Sequence, residues 1–140
     1  MSNHGEIASV LSRVAWMMDH GDADGFADCW CDDGTLHHST VDGHVTTARG
    51  TEIRRMFEAA SADPDYQRYR SLHIVNNPDI EIDGDRARAR YYVTHTLMGP
   101  QARPVGVEEC DTRLRRCEDG LWRIEALEEM QLLDYTKIEN

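Results

Sequence analysis

Apolar residues recur three and four positions apart along residues 6–20, where Ile7, Val10, Leu11, Val14, Met17 and Met18 share one side of a helix that stops at Gly21. A second, shorter helix is expected from about Asp22, with Phe26 and Trp30 four apart on one face. Residues 35–40 read as a first strand. A third helix starts near Thr51, read as its N-cap, and turns Ile53, Met56, Phe57 and Ala60 to one side. Beyond Pro64 the period falls to two. Residues 72–75 and 79–82 read as extended, and Asp83-Gly84 between two alternating runs signals a hairpin. In the run that follows, Ala87, Ala89, Tyr91, Val93, His95 and Leu97 share one face, while Arg88, Arg90, Tyr92, Thr94 and Thr96 share the other. The arginines mark the second face as the wetter one, which turns His95 inward. Residues 105–117 and 121–133 make two further long strands, joined by Glu118-Asp119-Gly120.

Helices first and a strand meander afterwards predict an α+β domain with the helices on one face of an antiparallel sheet. Strands of this length must curve strongly in so short a chain. The expected architecture is a cone-shaped α+β barrel, a curved antiparallel sheet with N-terminal helices enclosing a pocket, as one domain over residues 1–140.

The composition narrows the function. Hydrophobic residues make up 40% and charged residues 29% of the 140, as in a globular protein rather than a disordered one. A net charge of −11 argues against a nucleic-acid partner, since a phosphate backbone needs a basic face. The arginines at 86, 88 and 90 and at 113, 115 and 116 read as an outward charged sheet face. No apolar run reaches the ~20 residues of a membrane span. The N-terminus MSNHGEIASV lacks a basic region followed by an apolar core, so a cytoplasmic protein without membrane contact is expected. Cys29, Cys31, Cys110 and Cys117 have no C-x-x-C spacing and read as free thiols, buried as small apolar residues.

The order IASVLSRVAWMMDHGDADGFADCWCDDGTL, RGTEI, HIVNNPDIEIDGDRARARYY and CDTRLRRCEDGLWRI resembles the SnoaL-like domain of the nuclear transport factor 2-like superfamily, over about residues 6–126. That superfamily holds dehydratases, isomerases, polyketide cyclases and noncatalytic dioxygenase subunits, so the resemblance leaves function open. It implies a cavity, a homodimer or homotrimer, and no cofactor. On this resemblance Asp19 matches the family's acidic residue and His73 the pocket histidine that it holds. Such a pair is a sensible general base, because the carboxylate fixes the tautomer and stabilises the imidazolium. Taken alone, Asp19 reads more readily as a helix-end aspartate and His73 as a hydrogen-bonded core or rim histidine. Two departures stand out: Val14 and Cys110 occupy places where dehydratases of the family often carry tyrosine.

His95 is a third catalytic candidate, with a satisfied polar core residue as the alternative. His38 faces the interior if Leu36 does. Tyr91 offers a phenol to a substrate oxygen or is an ordinary core residue. Trp30 and Phe57 are candidate apolar substrate contacts, and Trp122 reads as core. Glu108, in phase with Cys110, Thr112 and Leu114, needs a partner or a function if it points inward. The inward histidines with Asp19 raise the question of a metal, but no element supplies two ligands at H-x-H or H-x-x-x-H spacing, and none is assigned. The leading expectation is a cofactor-independent lyase or isomerase (dehydration, elimination, double-bond isomerisation or cyclisation) acting on a small, largely apolar, cyclic molecule. A noncatalytic ligand-binding or subunit-like domain is the alternative. Epoxide or ester hydrolysis ranks last, because the sequence displays no clear carboxylate pair to position a water.

Overall fold

The computed structural model describes residues 2–64, 66 and 70–137. Helix α1 (Asn3–Asp19) starts where the Ser2 side chain accepts a hydrogen bond from the Gly5 amide at 3.2 Å. Its stripe of Ile7, Val10, Leu11, Val14 and Ala15 is buried, and Trp16 points outward, 60% exposed, with its ring stacked on His20. Asp22 caps α2 (Ala23–Asp28) by accepting from the Gly25 amide at 2.9 Å. That short helix ends before Trp30, which is the first residue of strand β1 (Trp30–Ser39), so Phe26 and Trp30 are not two members of one helical face. Strand β2 (Val45–Arg49), which the sequence pattern did not reveal, hairpins back along β1. Helix α3 (Thr51–Ser61) is entered through Gly50 rather than capped by Thr51. Gly50 has φ +56°, and a Cβ there would stand 3.1 Å from the Asp32 carbonyl oxygen, so the turn into α3 requires glycine.

Strands β3 (Arg70–Val75) and β4 (Asp79–Asp83) both pair with β5 (Arg86–Met98), β3 along its far half and β4 along its near half. Strands β6 (Arg103–Arg116) and β7 (Trp122–Asp134) complete a seven-stranded sheet ordered β2-β1-β7-β6-β5-β3. The α+β cone expected from the pattern is present, with two refinements. The sheet stays open rather than closing into a barrel, and β1 runs parallel to β7 while every other pairing is antiparallel. Register shifts in the β5–β6 and β6–β7 ladders bend the long strands, as bulges do.

The concave face carries Leu36, Ala48, Ala87, Ala89, Val93, Cys110, Leu114, Ile124 and Leu127, buried together with the helix stripes in one core. Trp122 belongs to the same core. On the opposite face Arg88 pairs with Asp111 at 2.6 Å and Arg90 with Asp79 at 2.7 Å, exposed ion pairs that solvent screens strongly. All four cysteines are free thiols; three are buried and Cys117 is half-buried. Among the described residues no helix is long and apolar enough to cross a membrane.

Candidate functional site

A row of ionisable side chains crosses the concave face, one strand after another. It begins at the last residue of α1. The Asp19 carboxylate accepts the His73 ring at 2.7 Å (Nδ1 to Oδ1), and both its oxygens accept the His73 backbone N–H at 3.1 Å. One carboxylate therefore fixes both the imidazole and the strand that carries it. With Nδ1–H donating to Asp19, Nε2 of the neutral ring keeps its lone pair and is the basic atom. The side chains retain 14% (His73) and 9% (Asp19) exposure.

His95 stands opposite His73 across the β3–β5 ladder, and the two rings stack with centroids 4.1 Å apart. Its Nε2 lies 2.5 Å from the hydroxyl of Ser71, which is 1% exposed. Burial, reinforced by His73, pushes the His95 imidazole down to about 4, so it is neutral at physiological pH. Across the next ladder Gly106 faces His95 and leaves that flank without a side chain. A Cβ on Gly106 would meet the Leu133 carbonyl oxygen at 2.7 Å.

The row continues through Glu108, which pairs in register with Val93 and so lies diagonal to His95 on the same face. Glu129 stands opposite both Cys110 on β6 and His38 on β1. The His38 Nε2 is 3.5 Å from Glu108, and a ring nitrogen of His38 and a carboxyl oxygen each of Glu108 and Glu129 all lie within 4.8 Å of one another. Burial works against the Glu108 carboxylate, but hydrogen bonds with His38 and Glu129 outweigh it and hold Glu108 below the ordinary glutamate value. Burial and the neighbouring Glu108 charge push Glu129 far above it. Between them the two carboxyls require one proton or one divalent cation.

Asp19, His73, His95 and His38 thus share one face, with His38 tied to the inward Glu108. Tyr91 also points inward, but its hydroxyl is 2.8 Å from Thr112 Oγ1, and burial raises its phenol so that it stays protonated. Trp30 and Phe57 lie elsewhere, in the core with Phe26, where the Phe26 and Phe57 rings stack at 4.6 Å. No hydrogen bond or ring contact joins them to the histidine row among the described residues. Both side chains are buried in the core, and the Trp30 indole N–H has no hydrogen-bond partner among the described residues. Sequence reasoning missed Ser71 and Glu129. Ser71 is two residues before His73 on one strand, a period-two signal that was available. Glu129 follows Leu127 by two, and with it the carboxylate pair that the sequence did not display is present.

A groove of about 940 Å³ is lined by residues of both sheet faces, among them His37, Arg88 and Arg90 with Tyr91, Cys110 and Glu129. None of Asp19, His73 or His95 lines it.

The neutral His95 gives a pH prediction. The unfolded chain takes up that proton near 6.5 but the folded one only near 4, so stability falls as pH drops through this window. The loss should be about 2 kcal/mol after allowance for solvent screening. Urea denaturation at a series of pH values should show a shallower acid decline for His95→Gln than for the wild type.

A family description, the SnoaL-like domain, matches residues 1–128. Among solved structures, an NTF2-like protein with a cystatin-like fold from Novosphingobium aromaticivorans superposes with a TM-score of 0.75 at 22% identity, covering 93% of this chain and 82% of that one. ActVI-ORFA from Streptomyces coelicolor gives 0.73 at 16% identity, covering 92% and 96%. The β subunit of a putative aromatic-ring-hydroxylating dioxygenase from N. aromaticivorans gives 0.75 at 10%, covering 91% and 87%. At such identities these likenesses show the fold alone. No curated protein matches the sequence.

Proposed function

From the SnoaL-like domain family, to which this chain belongs, we propose for it a cofactor-independent lyase or isomerase activity on a small, largely apolar, cyclic substrate. The observation that carries this reading is the 2.7 Å contact between the Asp19 carboxylate and His73 Nδ1. It orients a histidine whose free Nε2 is suited to taking a proton from carbon beside a carbonyl. The Asp19 charge compensates the imidazolium that forms, and the neutral His95 stacked on it is placed to hydrogen-bond the oxygen that gains charge. Tyr91 is a weaker candidate for that task, since Thr112 already occupies its hydroxyl.

The test is hydrogen–deuterium exchange. Cyclic ketones and β-hydroxyketones incubated in D₂O with the protein should lose the proton next to the carbonyl faster than with His73→Ala. Absence of exchange across such a panel would favour a domain that binds ligand without turning it over. The Glu108–Glu129 pair supports a second reading, ester or epoxide hydrolysis, because paired carboxyls position water. Hydrolysis leaves carbon-bound hydrogens in place, so the same assay separates the two.

A further inference from the structure

The base proposed above occupies one end of the row, and the far end holds a group that the base does not use. Glu108 and Glu129 sit on neighbouring strands, with Glu129 diagonal to Glu108, on the same concave face as His73 and His95. A carboxyl oxygen of each lies within 4.8 Å of one from the other. Two carboxylates this close and half-buried repel each other when both are ionised, which favours one proton on the pair. His38 flanks Glu108 at 3.5 Å from the third strand. The groups facing the pair are His38 from β1, Tyr91 and His95 from β5, and Cys110 from β6, with His73 from β3 and Asp19 from α1 farther along.

We propose that the Glu108–Glu129 pair, sharing one proton and flanked by His38, is the acid of this site, and that it delivers the proton to the oxygen leaving the substrate. This rests on the His73 base reading, and it narrows the substrate to a β-hydroxycarbonyl or equivalent whose hydroxyl departs as water. His73 Nε2 takes the proton from the carbon beside the carbonyl. The freed electron pair moves onto the carbonyl oxygen as an enolate, and its return forms the carbon–carbon double bond as the carbon–oxygen bond breaks. The shared proton moves onto the departing oxygen, so that water leaves and the pair becomes a dianion. The proton on His73 then returns to the pair, through solvent or through His95, which lies between them in the row. One proton leaves carbon, one joins hydroxyl, and the protein ends as it began. Glu129 holds the proton in the resting state, because it is the more deeply buried partner and Glu108 has His38 to stabilise its charge.

The experiment has two readouts. Carbon-13 NMR of glutamate carboxyls, followed against pH, should show one proton retained by the pair at neutral pH in the wild type. The same proton should persist in His73→Ala, since the base is not its source. In Glu129→Gln, loss of water from a β-hydroxyketone should fall about 10²-fold while deuterium exchange beside the carbonyl continues within a few-fold of wild type. Two ionised carboxyls at neutral pH would overturn the proposal. So would unchanged water loss in Glu129→Gln, measured with the thermal melt as a check on folding. One equivalent of Zn²⁺ or Mn²⁺ bound by the wild type and lost in either glutamine variant would equally overturn it, making the cluster a cation site. Exchange that survives His73→Ala would instead remove the base reading, while the carboxyl titration still decides whether the pair holds its proton.

Discussion

His73→Ala should lower kcat/KM by ~10²–10⁴-fold, the usual contribution of a positioned general base. The loss should fall mainly on kcat. Nothing places the imidazole as a binding surface of any size, whereas its Nε2 is the one basic atom of the Asp19 pair. The substitution should not unfold the protein, because Asp19 remains bonded to the residue 73 backbone N–H after the ring is removed. Asp19→Asn is the informative companion. An asparagine keeps the size and the acceptor oxygen but not the charge that compensates the imidazolium, so its activity should fall between those of wild type and His73→Ala. A His73→Ala variant that retains activity within a factor of a few would refute the base assignment. One that melts far below the wild type would show that the pair is chiefly a clasp between α1 and β3.

Much of this site was legible before any fold was known, and the unread part has identifiable causes. Alternation along β5 turned His95 inward because the arginines on the other face paired with acids at the surface, as Arg88 does with Asp111. The same alternation along β6 turned Glu108 inward. It could not reach Glu129 with equal certainty, since the β6–β7 ladder slips between Val107 and Glu108 and again between Arg113 and Leu114. Each slip reverses the phase on which such reading depends. The Asp19–His73 contact spans 54 residues and carries no local signature, so only resemblance to a family pointed to it. The parallel pairing of β1 with β7 is likewise set by long-range packing. Trp30 shows how a local rule misleads: its spacing from Phe26 suits a helix, but α2 ends at Asp28 and the residues that follow pair with β7.

Leu114→Ala should cost about 2–5 kcal/mol of stability, toward the upper part of that range. Leu114 is fully buried, and its strand neighbours in register are Ala87 on one side and Ile124 on the other. An alanine neighbour cannot swing into the vacated volume, and Ile124, 1% exposed and stiff at its branched carbon, has little freedom to do so. The cavity should therefore persist, which is what makes such truncations expensive. A domain with ~5–15 kcal/mol in total would survive the change but lie much nearer its unfolding threshold. Denaturant titration should show a lower midpoint at an unchanged slope. The catalytic consequence should be small for the molecules that remain folded. Leu114 lies near the β4 end of the sheet, opposite Ala87, whereas His73 and His95 pair at the other end of β5. Leu114→Ala should thus lose stability with little loss of kcat, the reverse of His73→Ala. A cost below ~1 kcal/mol would mean that the concave core can close over a missing side chain, and the rigidity assumed for the histidine row would then need direct measurement.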